Sequence, residues 1–355
     1  MLVVTPPLAV PAQLTALVVL MAIVAALYLT RAFGRRRRRH ERREGRLLLR
    51  ALRGYLRGER SAAGAAKVAA RADAGAFWAA LERLSMGPDR SALRRLAPVL
   101  ERNPHGRLER QRLRDDSPWR RELAARRLGL LRTRASRRAL RRALRRGPEM
   151  VALAAGMALA RMRDRAALRW LLSHPEILAR RSRRALAGLL TSFGRVGLPD
   201  VAAALERGLA HPLLELAALD VLGQGRYRGA RDRLEQLLAS GTMEQKVAAA
   251  RALGLLQSVE CATSLLAALR DEAWPVRAQA ARALGRVRAP IAVTALAGRL
   301  TDPSWWVRRH AAYALGALGT DGQEALRRVA QTSPDPYARD MAREVLDGGL
   351  HLDVA

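Results

Sequence analysis

The residue types that most often do chemistry in proteins are histidine, cysteine and the carboxylates, and here they form no catalytic or metal-binding pattern. Cys261 is the only cysteine, so neither an internal disulfide nor a cysteine-based zinc site can form within the chain. It stands in the helix-like run VECATSLLAAL without a basic neighbour, which predicts a small core residue. The six histidines lack ligand spacing: His40, His105, His174, His211, His310 and His351. No phosphate loop or nucleophile elbow occurs, and we expect a non-catalytic protein without metal or cofactor.

Tryptophans that recur at one place in the sequence pattern are the stronger candidates, and their chemistry would be recognition. Trp119, Trp274, Trp305 and Trp306 each stand two or three residues before a basic position, where a helix is expected to begin. Either these rings cover the joins between helices, or they form an exposed binding edge. Aromatic side chains and arginine dominate the energetics of protein interfaces. The candidate partner surface therefore consists of Trp274, Trp305, Trp306, Arg309, His310 and Tyr313.

The chain is strongly basic, but its charge is unevenly distributed. Of the net charge of +32, residues 31–200 carry +30 and residues 201–355 carry only +2. The densest run is RTRASRRALRRALRR from Arg132, and four further arginines are expected beside it: Arg180, Arg181, Arg183 and Arg184. Such a helix can contact lipid headgroups, acidic proteins or nucleic-acid phosphates, or it can remain solvated. We favour a membrane surface or an acidic protein and keep nucleic acid as an alternative.

The first part of the chain has the pattern of a membrane anchor. Residues 12–33 supply about 20 mostly apolar helix formers, which is the length needed to cross a bilayer. Residues 1–11 carry no charge, whereas an arginine run follows the apolar segment, so the positive-inside rule places the rest of the chain in the cytoplasm. A secretory signal peptide would have the opposite order of charge. We expect a single-pass protein of the cytoplasmic membrane.

Residues 34–60 predict a basic helix next to the membrane. Leu48, Leu52, Tyr55 and Leu56 share one face of this helix, and arginines surround them. The helix either lies on the anionic inner leaflet or packs as the first helix of the domain that follows. The candidate membrane or anion surface comprises Arg35, Arg36, Arg37, Arg38, Arg39, Arg46, Arg50 and Arg53.

A 31-residue repeat organises the C-terminal part of the chain. The segment DEAWPVRAQAARALGRV from Asp271 aligns with DPSWWVRRHAAYALGAL from Asp302. Leu-Gly pairs mark the period, and Leu346 stands one period beyond the last of them: Leu222–Gly223, Leu253–Gly254, Leu284–Gly285 and Leu315–Gly316. Weaker copies extend the pattern towards the N-terminus and give about eight units between residues 115 and 347.

Each unit has the pattern of a helical hairpin. Val276, Ala280, Ala281 and Leu284 recur at helical spacing and are expected to be buried. The polar positions expected to face outward are Gln279, Arg282 and Arg286. Because one hairpin cannot bury both of its faces, neighbouring units must stack. The sequence therefore predicts an all-α fold, an α-solenoid of about eight helical hairpins preceded by one transmembrane helix.

These units resemble the short HEAT-like repeats named after phycobilisome lyases. That template has an Asp, then Val-Arg, then Ala-Ala-x-Ala-Leu-Gly, and the resemblance covers roughly the last two-thirds of the chain. It implies a solenoid in which a structural ladder between repeats is formed by Asp271, Arg277, Asp302 and Arg308. It implies little about function, since such repeats occur in lyases, hydroxylases, glycosylases and scaffolds. The related deoxyhypusine hydroxylases hold two irons with repeated His-Glu pairs, whereas His40–Glu41 is the only such pair here and lies outside the repeats.

The leading hypothesis is a membrane-anchored, monomeric scaffold that binds a protein partner at the cytoplasmic face of the membrane. The alternatives are a membrane-tethered nucleic-acid-binding protein and a bilin-lyase-like or other HEAT-repeat enzyme. The expected division is an extracytoplasmic segment, a transmembrane helix, a basic juxtamembrane helix, a helical cap region, the solenoid and a tail: residues 1–11, 12–33, 34–60, 61–114, 115–347 and 348–355.

Overall fold

The structure is a computed structural model that describes residues 40–87 and 93–348, together with six positions between residues 19 and 28. Apart from those six positions, the predicted transmembrane helix at residues 12–33 lies outside the described residues, and so do the arginines at positions 35–39. Within the described part, we find no helix with the length and apolar character that crossing a membrane requires.

Helices are the only regular secondary structure in the described ranges, so the all-α prediction is confirmed. Single turns of 3₁₀ helix, such as Pro290–Ala292, join many of them. Residues 40–56 form α1. The other helices are α2 Ala62–Arg71, α3 Ala74–Met86, α4 Ala97–Leu100, α5 Pro104–Arg112, α6 Pro118–Leu131, α7 Arg134–Arg146, α8 Glu149–Arg161, α9 Arg165–Ser173, α10 Arg183–Ser192, α11 Leu198–Arg207, α12 Pro212–Gln224, α13 Arg231–Ser240, α14 Met243–Leu256, α15 Ala262–Ala268, α16 Trp274–Val287, α17 Val293–Gly298, α18 Trp305–Ala317, α19 Gly319–Thr332 and α20 Pro336–Leu346.

The chain divides into two compact units, Met1–Leu140 and Arg141–Ala355. In the first unit, Leu48 and Leu52 of α1 are fully buried, as is Phe77 of α3. Glu44 of α1 also accepts a hydrogen bond of 2.8 Å from the Asp73 N–H just before α3. The apolar face of α1 therefore packs into protein, while three arginines of the candidate anion surface lie exposed on its other side: Arg46, Arg50 and Arg53.

In the second unit, the helices that carry the repeat template lie side by side. Neighbours in this row pack directly against each other, in the order α10, α12, α14, α16, α18 and α20. The four apolar positions predicted for α16 are all fully buried: Val276, Ala280, Ala281 and Leu284. Gln279 was expected to face outward, and this prediction is wrong, because only 9% of the residue is exposed. Its position on α16 turns it towards the neighbouring helices.

The repeating Leu-Gly pair has a packing cause. A Cβ atom added to Gly254 would lie 2.8 Å from the Cα of Ala283, and one added to Gly285 would lie 2.8 Å from the Cα of Ala314. Gly223 stands in the same relation to Ala252, at 2.7 Å. Each glycine thus lets the next template helix approach at a distance that no side chain would permit. The Ala-Leu-Gly signature therefore supplies both partners of this contact. The glycine of one unit meets the alanine that precedes the Leu-Gly pair of the next unit.

Candidate partner-binding surface

The loop that begins α18 is held by a buried ion pair from the preceding repeat. Asp302 is 3% exposed and accepts hydrogen bonds from Arg277 Nε at 2.8 Å and Nη2 at 2.9 Å. It also accepts a bond of 3.0 Å from the N–H of Ser304. Burial alone would raise the pKa of Asp302, but the hydrogen bonds from Arg277 and Ser304 bring it below its usual value. The carboxylate therefore remains charged and fixes the loop to α16.

The template arginines also hold the loops of their own repeats. Arg277 Nη1 donates to the carbonyl oxygens of Asp271 at 2.9 Å and Glu272 at 2.8 Å. Equivalent pairs of bonds join Arg308 to the Asp302 and Pro303 carbonyls and Arg339 to the Ser333 and Pro334 carbonyls. Each of these arginines thereby satisfies carbonyl groups just ahead of a helix start.

Pairs between consecutive repeats connect the array at several steps. Lys246 Nζ lies 2.7 Å from Asp271 Oδ2, one step before the Arg277–Asp302 pair. Similar pairs occur nearer the N-terminus of this unit: Arg141–Asp164, Arg165–Asp200 and Arg183–Asp220. Ser333 stands one period after Asp302, so Arg308 meets no carboxylate there, and its guanidinium carbon lies 5.5 Å from the ring centre of Tyr337 instead. Of the four predicted ladder residues, Asp271, Arg277 and Asp302 thus join neighbouring repeats.

These loops present tryptophans at the start of α16 and α18. Trp274 is 46% exposed, Trp305 43% and Trp306 50%. Rings that covered the helix joins would be mostly buried. Of the two hypotheses, the structure therefore favours the one in which the rings form an exposed edge. Tyr337 continues this edge on α20 with 66% exposure. It was missed in the sequence, although it stands one 31-residue period after Trp306.

Arg309 and two aromatic rings form an ordered group on α18. The guanidinium carbon of Arg309 lies 5.2 Å from the ring centre of Trp305 and 5.1 Å from that of Tyr313. Trp305 and Trp306 meet edge to face at 4.8 Å, and Trp306 stacks at 6.5 Å with His310. All the contacts except the Trp pair are four residues apart, which places their side chains on one helix face. Cation–π contacts of this kind contribute about 0.5–2 kcal/mol each and restrict the motion of the arginine.

His310 is half-buried beside these rings. Burial lowers its pKa to about 4, and the positive charges of Arg282, Arg309 and Arg286 act in the same direction. The imidazole is therefore neutral at pH 7, with one nitrogen able to donate and the other able to accept a hydrogen bond. Tyr313 connects this group to the next repeat, since its hydroxyl donates to Glu344 Oε1 at 3.3 Å.

The remaining candidates for chemistry lie apart from this surface. Cys261 is fully buried, and burial raises its pKa to about 11, which fits a core residue. Among the described residues, no cluster of three or more His, Cys, Asp or Glu side chains could hold a metal ion. In the basic run, Arg141 and Arg183 are engaged with carboxylates, whereas Arg138 and Arg142 are exposed on α7.

Comparison with known protein families identifies the repeats. A model of HEAT repeats matches residues 262–347, and a model of the PBS lyase HEAT-like repeat matches residues 245–271. No curated protein matches the chain.

Several solved structures are similar to the chain at low identity and low TM-score. An engineered protein is 17% identical with a TM-score of 0.41, over 84% of this chain and 98% of its own. Human deoxyhypusine hydroxylase is 22% identical with a TM-score of 0.31, over 79% and 93%. The CpcE–CpcF complex of phycocyanin lyase from Nostoc sp. is 20% identical with a TM-score of 0.29, over 68% and 93%. What those proteins bind or catalyse stays a property of those proteins. Within this chain, residues 262–347 match HEAT repeats and residues 245–271 match the HEAT-like repeat of the PBS lyase type.

Proposed function

We propose that this chain is a non-catalytic scaffold or adaptor that binds a protein partner through the aromatic edge of its C-terminal repeats. The edge is defined by Trp274, Trp305, Trp306, Arg309, His310 and Tyr313. The observation that carries the proposal is the half-exposure of three tryptophans at helix starts that ion pairs between repeats hold in place. A surface held in its binding conformation before the partner arrives loses less entropy on association.

The exposed indoles give the edge its binding energy. A half-exposed tryptophan leaves about 100 Å² of ring surface in water, and burying it would contribute about 2–3 kcal/mol per ring. Arg309 is already ordered between Trp305 and Tyr313, so it can donate hydrogen bonds to a partner at a small entropic cost. Aromatic rings around a fixed arginine have the composition of an interface hot spot.

We further propose that residues 12–33 anchor this scaffold in the cytoplasmic membrane, with the repeats on the cytoplasmic side. The support is the apolar segment followed by the arginines at positions 35–39. The exposed arginines of α1, Arg46, Arg50 and Arg53, would then lie close to the anionic inner leaflet. The partner on this proposal is a protein at the membrane surface.

The test is crosslinking of the full-length protein in its native membrane, with identification of the captured protein. The double variant Trp305→Ala/Trp306→Ala should reduce capture of that protein by more than about tenfold, since two hot-spot rings are removed. The matched control is Trp119→Ala, which removes a ring that is 67% exposed in the other compact unit. Equal capture by wild type and the double variant, with both folded by circular dichroism, would rule out this edge as the interface.

Nucleic-acid binding remains the second candidate because α7 carries several exposed arginines. They are Arg134, Arg138, Arg142, Arg145 and Arg146. A phosphate-binding surface would show affinity for random duplex DNA that falls steeply with salt concentration. Absence of such binding at physiological salt would eliminate this candidate and leave the protein-binding edge.

A further inference from the structure

A row of polar side chains crosses the template helices of the second unit at 31-residue spacing. One member lies on each of α12, α14, α16, α18 and α20: Asp220, Arg251, Arg282, Tyr313 and Glu344. Both ends of the row show contacts between neighbouring helices. Arg251 Nη1 lies 3.6 Å from Asp220 Oδ1, and the Tyr313 hydroxyl donates to Glu344 at 3.3 Å. The same register places Arg251 beside Arg282 in the middle of the row, so the row is acidic at its ends and basic at its centre.

Further positive charge converges on the same place. Arg286 follows Arg282 by about one turn on α16 and is half-buried; burial lowers its pKa, and so do the neighbouring charges of Arg282 and Arg251. Arg309 adds a guanidinium from α18, and all the charges that act on His310 are arginines. In the part of the chain that the structure describes, no carboxylate lies within ion-pair distance of Arg286 or Arg309. Two arginines held close together without a nearby carboxylate repel each other unless a ligand supplies a counter-charge.

Gln279 supplies an independent sign that a ligand belongs here. It precedes His310 by one repeat period, is 9% exposed, and its amide nitrogen has no hydrogen-bond partner among the described residues. Gln279, Arg282 and Arg286 follow one another at helical spacing on the same face of α16. A buried amide left without a partner costs about 1–3 kcal/mol, which a ligand oxygen would recover.

We propose that this arginine cluster, defined by Gln279, Arg282, Arg286, Arg309 and His310, binds the carboxylates of an acidic segment of the protein partner. The inference rests on the proposed function and names the chemistry of its partner. Guanidinium groups bind carboxylates through paired, charge-assisted hydrogen bonds, and the Gln279 amide adds a further donor. The neutral His310 and the ring of Trp306 beside it would contact an apolar side chain within the acidic segment.

The extent of the basic centre favours a short peptide over nucleic acid. The basic residues lie on α14, α16 and α18, and two helix-to-helix spacings amount to about 20 Å, the length of about six extended residues. Glu344 bounds this stretch with negative charge on the α20 side, whereas Asp220 on the α12 side is paired with Arg183 at 2.7 Å. A duplex, which carries a charge every ~1.7 Å, would continue past Glu344 and be repelled there. A segment with a few Asp or Glu residues would end where the cluster ends.

The experiment uses the full chain and two synthetic peptides that carry the same photoreactive group. The first peptide is about eight residues long and rich in Glu with one Leu, and its twin has Gln in place of every Glu. Crosslinks are mapped by mass spectrometry at physiological salt. The Glu peptide should label residues 274–317, and Arg282→Gln/Arg286→Gln should reduce that labelling by more than about tenfold. The matched control is Arg270→Gln/Arg327→Gln, which removes the same charge from two exposed positions of the same unit and should change the labelling by less than about twofold.

Three outcomes would overturn the proposal. In the first, the Gln twin labels the protein as strongly as the Glu peptide does. In the second, the two double variants lose the same fraction of labelling by the Glu peptide. In the third, a short DNA duplex binds residues 274–317 and displaces the Glu peptide. The proposed function is judged separately by capture of the native partner. If Arg282→Gln/Arg286→Gln keeps that capture while Trp305→Ala/Trp306→Ala loses it, the aromatic edge stands and the acidic segment does not.

Discussion

Asp302 shows what a single buried charge contributes in this protein. Its carboxylate is almost completely removed from water and meets donors from the previous repeat and from its own helix start. Transferring a carboxylate into protein costs several kcal/mol, and the paired arginine and backbone donor offset that cost only while all of them are present. The main role of Asp302 is therefore to specify how α16 and α18 pack together, and its net contribution to stability is smaller.

Replacing Asp302 with Asn should lower the free energy of unfolding by about 2–4 kcal/mol, because Arg277 would be left half-buried without a counter-charge. Urea denaturation followed by circular dichroism measures this change. Asp340→Asn is the matched control, since that carboxylate is exposed and forms only a surface pair with Arg343 at 3.7 Å. The control should change stability by less than about 1 kcal/mol. Similar losses of stability in both variants would mean that the buried pair contributes no more to the free energy of unfolding than a surface pair does.

The lowered pKa of His310 predicts acid sensitivity. Its folded-state pKa of about 4 lies below the ordinary value of 6.5, so the unfolded chain binds the proton more tightly. Stability should therefore be fully retained above about pH 6.5 and be lost progressively as the pH falls towards 4. The groups that face the ring, Arg282 and Arg286 from α16 and Arg309 from its own helix, stay charged across this range.

Denaturation midpoints at pH 7 and pH 5 test this prediction. His310→Gln should narrow the difference between the two midpoints, because the variant has no proton to take up at this position. His174→Gln is a control at another partly buried histidine of the same unit. The explanation fails if His310→Gln leaves the difference unchanged.

At the scale of the helix, contact between small residues sets the spacing of the repeats. Gly223, Gly254 and Gly285 each face the backbone of the next template helix, and the residue they meet is alanine every time. The template helices also end alike, with Arg226, Gln257 and Arg288 in the left-handed region at φ of 49°, 52° and 53°. Those residues reverse the chain into the next hairpin, a role that Gly more often fills.

Gly254→Ala should destabilise the protein by about 1–3 kcal/mol, because the added methyl group would lie 2.8 Å from the Cα and Cβ of Ala283 and force two helices apart. Gly188→Ala provides the opposite expectation. Gly188 lies inside α10 with nothing within 4 Å of an added Cβ, so the better helix former should stabilise by up to about 1 kcal/mol. Thermal or urea unfolding distinguishes the two signs, and destabilisation by both substitutions to the same extent would contradict the packing argument.

At the scale of the whole molecule, charge and aromatic surface are separated along the chain. Residues 31–200 carry a net charge of +30, whereas residues 201–355, which contain the aromatic edge, carry only +2. If residues 12–33 anchor the chain, the basic part follows the membrane directly and its charge is attracted to anionic lipid. The C-terminal repeats, with their exposed tryptophans, then remain available to a protein partner.

A reporter fused after Ala355 tests this arrangement. We expect activity from a reporter that works only in the cytoplasm and none from one that works only in the periplasm, since the arginines at positions 35–39 oppose translocation. Deleting residues 12–33 should move the protein from the membrane fraction to the soluble fraction. Activity of the periplasmic reporter, or an unchanged distribution after the deletion, would contradict the proposed anchor.

The sequence by itself determined the repeat and its hairpins. Burial of Val276, Ala280 and Leu284 follows from helical periodicity, which depends only on neighbours along the chain. The resemblance to HEAT-like repeats also implied a ladder of Asp and Arg side chains, and Arg277 and Asp302 form one step of it. In repeats, a contact between neighbours becomes a constant separation in sequence, so the pattern can be recognised from sequence alone.

Only the tertiary structure decided how deep each side chain lies and which charges meet. The tryptophans remain exposed and Gln279 is buried, because the angle between stacked helices determines which turn faces a neighbour. The arginine cluster was also hidden in the sequence, where Arg282 and Arg286 belong to one repeat and Arg309 belongs to the next. Burial and like charge act through space, and the stacking of α16 against α18 is what brings these groups together.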